Sequence, residues 1–216
     1  MSIDRARRRI ALAAVVFAVS VPALGEALLD DLTRAVENDR VAEVQRLLAR
    51  GMDADSVTEK GETMLCIAAR DGSTRTVEAL LAAKANPEIP NRFGDTPMML
   101  AALKGHLDTV RTLVAHGAAV NRRGWTPLIY AATGGHGDVA DFLLLHGADI
   151  DAQSPNGTTA LMMAIHEHKP DMAQLLIARG ADVSIRNQDG ASALDWARRG
   201  NETDLVKELR RVGAGN

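Results

Sequence analysis

The sequence predicts an all-α repeat solenoid of about six stacked helix pairs, and three observations predict it. Gly61, Gly94, Gly124, Gly157 and Gly190 follow one another at intervals of 33, 30, 33 and 33 residues. A parallel ladder comprises Gly51, Lys84 in place of a glycine, Gly117, Gly147, Gly180 and Gly213, at intervals of 33, 33, 30, 33 and 33. Helix-start and helix-stop signals travel with both ladders at constant offsets. A fixed period of about 20–50 residues signals stacked supersecondary units in place of one globular core.

The chain opens on a separate object. Arg5, Arg7, Arg8 and Arg9 precede an apolar run from Ile10 to Val21, followed by Pro22-Ala23-Leu24-Gly25. A basic start, a short apolar stretch and small residues two apart read as a secretory signal, residues 1–25, cut after Gly25. The apolar run of 12 residues falls short of the ~20 that span a bilayer as a helix, so stable membrane insertion is not expected. Ala11 stands where a twin-arginine signal wants a bulky apolar residue, which favours the general export route.

Residues 26–216 form the repeat domain, beginning with a unit at 26–57 that lacks the Gly-x-Thr-Pro start and reads as an amino-terminal cap. Units at 58–90, 91–120, 121–153 and 154–186 follow, and 187–213 closes the stack. Thr96-Pro97 and Thr126-Pro127 are helix starts, because the hydroxyl caps free N–H groups and proline suits the first helical position. Small pairs Ala68-Ala69, Ala101-Ala102 and Ala131-Ala132 let neighbouring first helices approach closely. Second helices such as Phe142–Leu143–Leu144 end at glycine, the usual helix stop. Arg198, where other units carry Ala or Ile, marks a last helix with no following neighbour.

These marks, together with Gly105-His106, Gly135-His136, Gly147-Ala148-Asp149 and Gly180-Ala181-Asp182-Val183, resemble the ankyrin repeat over roughly residues 26–213. The resemblance implies a helix–turn–helix per repeat with a β-hairpin finger between repeats. Fingers and first helices would then form a concave face that binds proteins. It is closest in character to small exported ankyrin proteins of the bacterial periplasm, some linked to protection from oxidative stress; a secreted effector that engages host proteins is the alternative. The family's histidine after Thr-Pro-Leu is replaced by Cys66, Met99, Ile129, Met162 and Asp195. The step from Gly94 to Gly124 is three residues short, with the loss falling at Val120–Gly124 in a finger.

Carried over by motif, the binding face centres on Arg92, Phe93, Asp95, Leu103 and Lys104, then Arg122, Arg123 and Trp125, then Asn156 and Thr158. The few aromatics divide. Tyr130, Phe142 and Trp196 fall at helix-core places, whereas Phe93 and Trp125 fall on adjacent fingers. Tryptophan and arginine are the residues most enriched at binding hot spots. The shortened finger is therefore expected to leave a notch, lined by Trp125 between Phe93 and Asn156, for an acidic or aromatic element of a partner protein.

Charge narrows the partner class. Removing the signal takes four Arg and one Asp from totals of 25 basic and 28 acidic residues, leaving a net charge of −6. That argues against non-specific binding to nucleic acid or anionic membranes. A monomer is expected.

Catalytic and metal chemistry find little support. His106 and His136, like His116 and His146, occupy equivalent places in consecutive repeats, and helices pack ~10 Å apart, too far for one zinc ion. Asp108, Asp138, Asp149 and Asp182 recur with the repeat as turn and helix-start residues. Neither a phosphate-cradling loop nor a nucleophile elbow is present. No cofactor and no enzyme activity are expected. Cys66, the single cysteine, reads as a small buried hydrophobe between Leu65 and Ile67; a peroxide-reactive thiol there is the alternative from another functional class.

Overall fold

The computed structural model describes the backbone of residues 21–213. The expected signal lies mostly outside the described residues, and Gly25, its expected cleavage point, falls within the first helix.

Twelve α-helices are described, in six consecutive pairs: α1 (Val21–Glu37) with α2 (Val41–Ala49), α3 (Met64–Asp71) with α4 (Thr74–Ala82), and α5 (Pro97–Lys104) with α6 (Leu107–Ala115). Then come α7 (Pro127–Gly134) with α8 (Gly137–Leu145), α9 (Ala160–His166) with α10 (Pro170–Ala178), and α11 (Ala193–Arg199) with α12 (Thr203–Gly213). First helices stack on one another in an inner row, α1 to α3, α5, α7, α9 and α11, while α2, α4, α6, α8 and α10 form an outer row.

Local chemistry explains why each inner helix starts where it does. Thr63, Thr96, Thr126, Thr159 and Ser192 are extended residues whose hydroxyls accept from the backbone N–H three positions on. A cap of this kind contributes about 1 kcal/mol. The residue capped in this way is the one that replaces the family histidine. Cys66, Met99, Ile129 and Met162 are at most 1% exposed, so apolar packing occupies that place. Asp195 instead bonds back to Ser192 and completes a capping box.

The alanine pairs Ala68-Ala69, Ala101-Ala102 and Ala131-Ala132 are fully buried between inner helices. Outer helices stop in a left-handed residue at Gly51, Lys84, Gly117, Gly147 and Gly180, and Lys84 adopts φ +69° as the glycine it replaces would. Asp39, Gly72, Gly105, Gly135, His168 and Asn201 make a third left-handed ladder between the two helices of each pair. Half of its members are not glycine, which hides it from the sequence. At the carboxyl end α12 buries Leu205 and Leu209 and exposes Lys207, Arg210 and Arg211, a polar outer face suited to a terminal unit.

No laddered strand occurs among the described residues; Val57–Thr63 and Arg186–Ser192 form isolated bridges. The fingers are thus tighter than β-hairpins, because only a residue or two on each side of the turn lies opposite a partner. Four of them share one construction. The residue three before the finger glycine, Thr58, Asn91, Ser154 or Asn187, exchanges backbone bonds across the turn, as in Asn91 N to Asp95 O at 2.9 Å. Its side chain accepts from the far strand, as when Asn91 Oδ1 receives the N–H groups of Phe93 and Asp95. These tip anchors, missed in the sequence, recur at a constant offset from glycine.

Candidate protein-binding face

The fingers project Phe93 and Trp125 from the body of the protein. Phe93 is 68% exposed and Trp125 37%, the former under the Arg92 guanidinium at 4.6 Å from its ring centroid. Trp125 leans back on its own repeat, edge-on to Tyr130 with centroids 6.1 Å apart. Trp125 remains accessible there, and Tyr130, expected in the core, is only half-buried. Trp196 is likewise half-buried, lining a concavity of about 390 Å³ with Ile165, His166, His168, Arg199 and Gly200. Phe142 lies half-buried in the outer row between Arg111 and His146.

The remaining candidates separate into offered and occupied side chains. Arg123 and Lys104 are exposed and enter no hydrogen bond or ion pair among the described residues, and Asn156 is also exposed. Asp95 is half-buried and occupied: its carboxylate accepts from the Tyr130 hydroxyl and, at 3.4 Å, from Asn91 Nδ2. Burial and that bond raise the Tyr130 pKa above its ordinary value. Leu103 is half-buried, and its carbonyl accepts from or faces His136 Nε2 at 3.0 Å. Thr158 is a correction. It is 1% exposed and cannot meet a partner, because the following finger closes over it: Gln188 N donates to Asn156 O at 2.9 Å. Arg122 is exposed as expected and also reaches back to the preceding finger, its guanidinium donating to Gly94 O at 3.2 Å beside Met99 Sδ at 3.4 Å.

Charge is unevenly distributed along the face. Toward the amino end Arg70 pairs with Glu62 at 3.2 Å and Asp71 at 3.6 Å. Toward the carboxyl end Arg186 and Arg198 both pair with Asp195. Between them Arg92, Lys104 and Arg123 stand without an ion pair among the described residues, beside the two exposed aromatics.

The histidines serve the repeat. His106 Nε2 lies 3.1 Å from Arg70 O, and each of His106 and His136 rests on the left-handed glycine of the preceding pair, Gly72 and Gly105. Asp182 receives Ser184 N–H and O–H, which holds its carboxyl below the usual range, and Asp149 receives Asp151 N–H; both are turn residues. Cys66 is fully buried with its thiol against Ile89 O and Asp95 O, and burial pushes its pKa up to about 11. A thiol so placed holds its proton and is a poor nucleophile. No helix among the described residues is long and apolar enough to cross a membrane.

Stacked helix pairs with a finger-lined face define a helical repeat scaffold. The family model described as ankyrin repeats (3 copies) matches residues 32–123, 76–154 and 143–215. This chain belongs to the ankyrin-repeat family, whose members generally bind other proteins and are typically non-catalytic. It is similar to the ankyrin repeat and KH domain-containing protein mask of Drosophila melanogaster, at 38% identity over 95 residues, 42% of this chain. The match covers 2% of that relative's length.

Proposed function

We propose that this chain is a non-catalytic scaffold that binds an acidic protein segment, one bearing an aromatic or apolar anchor, at the centre of its concave face. The observation that carries this reading is the coincidence of exposed Phe93 and Trp125 with Arg92, Lys104 and Arg123, cations that enter no ion pair among the described residues, whereas Arg70 and Arg186 on either side are paired with carboxylates. Aromatic anchors supply burial on binding, and a local cationic field steers an anionic partner even to a protein of net negative charge. The basic, apolar and small-residue opening of the chain supports export, with the periplasm as the working compartment and stress protection of the envelope as the role by family analogy.

The test is affinity capture from the envelope fraction of the exporting cell, with wild type and Trp125→Ala compared. Truncating a hot-spot tryptophan costs about 2 kcal/mol, so capture should weaken ~30-fold. Undiminished capture by Trp125→Ala would overturn the binding face. Recovery of the protein from culture medium, with none in osmotic-shock fluid, would overturn the periplasmic assignment.

A further inference from the structure

Successive fingers are joined by backbone at two places. Arg92 N donates to Gly61 O, linking the first two fingers, and Gln188 N donates to Asn156 O, linking the last two. In both, the donor stands two residues before the finger glycine. At the shortened third finger that position is Arg122, whose backbone N–H makes no such bond among the described residues. At the fourth finger it is Pro155, which has no N–H to give. The third finger therefore lacks the backbone ties that fix its counterparts.

Two side chains replace them. Asn121 holds the base of the finger forward, donating to Gly147 O at 2.7 Å and accepting from Asp149 N at 2.9 Å. Arg122 holds the tip backward through Gly94 O, the carbonyl equivalent to the Gly61 acceptor, with its guanidinium against Met99 Sδ. Gly94 O lies next in the chain to Asp95, whose carboxylate takes the Tyr130 hydroxyl, and Trp125 stands edge-on to that same tyrosine.

We infer that Arg122 is a positioning residue: its guanidinium stands in for the missing finger backbone and fixes Trp125 relative to Phe93, while Arg92, Arg123 and Lys104 are the cations a partner meets. The positional half stands on these contacts alone; the half concerning the partner rests on the proposed binding face.

The test uses the full chain carrying Trp196→Phe, which leaves Trp125 as the one tryptophan of two. Acrylamide quenching and the emission maximum of Trp125 are read for Arg122→Ala, Arg122→Gln and Arg123→Ala. Arg122→Ala should raise the quenching constant about twofold and shift emission to the red, with helical circular dichroism unchanged. Arg122→Gln keeps an N–H donor for Gly94 O and should restore most of the wild-type signal; Arg123→Ala should change nothing. An unaltered Trp125 signal in Arg122→Ala, an equal effect of Arg123→Ala, or loss of helical signal in both Arg122 variants would overturn the positioning role. With partner present, Arg122→Gln should retain capture and Arg123→Glu lose it. The reverse would return Arg122 to the contact surface, and failure of wild type to capture anything would strike the binding face without touching the fluorescence result.

Discussion

The hydroxyl of Tyr130, on the inner helix α7, donates a hydrogen bond to the carboxylate of Asp95 in the finger of the preceding repeat, 35 residues away. The bond joins neighbouring repeats beneath Trp125 and takes Asp95 out of the set of groups open to a partner. Tyr130→Phe removes it and should cost about 1 kcal/mol at neutral pH. Tyr130 is the one tyrosine of the chain, and burial followed by the Asp95 bond raises its pKa in the folded state. Its contribution is therefore complete below the ordinary tyrosine pKa of about 10 and is lost as pH rises through the range above it. Melting curves between pH 8 and 11 should show the gap between wild type and Tyr130→Phe narrowing as pH climbs.

Cys66 should behave as packing and not as a reagent. With the thiol buried and its pKa pushed up to about 11, a disulfide-exchange reagent at pH 8 should leave the native protein unlabelled and react fully in denaturant. Stability from keeping this thiol neutral is present below its ordinary value of 9.0 and is lost as pH rises from there through about 11. Rapid labelling of the native chain would revive the thiol-protein alternative.

Gly105 and Gly94 both adopt positive φ, +75° and +89°, but for different reasons. A Cβ on Gly105 would lie 2.4 Å from His136 Nδ1 of the next repeat, whereas one on Gly94 would meet nothing within 4 Å. Gly94→Ala should cost about 1 kcal/mol for the backbone alone, and Gly105→Ala about 3 kcal/mol because His136 must also leave its cradle. Denaturant midpoints of the two variants check the order.

Lys84 sits at φ +69°, where the equivalent residues of other units are glycines. Lys84→Gly should stabilise the protein by about 0.5–1 kcal/mol, since relief of the left-handed strain exceeds the added freedom of the unfolded glycine. The melting temperature should rise by about 2 °C for a domain of this size. A lower melting temperature would mean that the Lys84 side chain contributes something its exposed position does not suggest.

Much of the architecture was legible in the residues because its causes are local. The five hydroxyl caps, the left-handed stop at Lys84 and the buried alanine pairs each act within a few residues of themselves or through contacts repeated at every interface. The candidate face was legible only in outline. Phe93, Trp125, Arg92, Arg122, Arg123, Lys104 and Asn156 are on the surface as expected; Thr158 is buried, and Asp95 is engaged by Tyr130 of the next repeat. Asn121 shows why. In other units one residue links consecutive turns, as Asp55 does to Asn86 N and Asp151 to Asp182 N, and another anchors the finger tip. The shortened loop leaves Asn121 to serve for both, and it makes the link between turns.

The amino-acid sequence alone determined the period, the starts of the inner helices, the stops of the outer ones and the pairing of helices, since capping, left-handed stops and small-residue contacts are properties of short segments. Which side chains remain free for a partner was decided only by the tertiary structure. Equivalent positions look alike in a repeating sequence, but each meets a different neighbour about thirty residues away, and a single shortened loop changes that neighbour's reach.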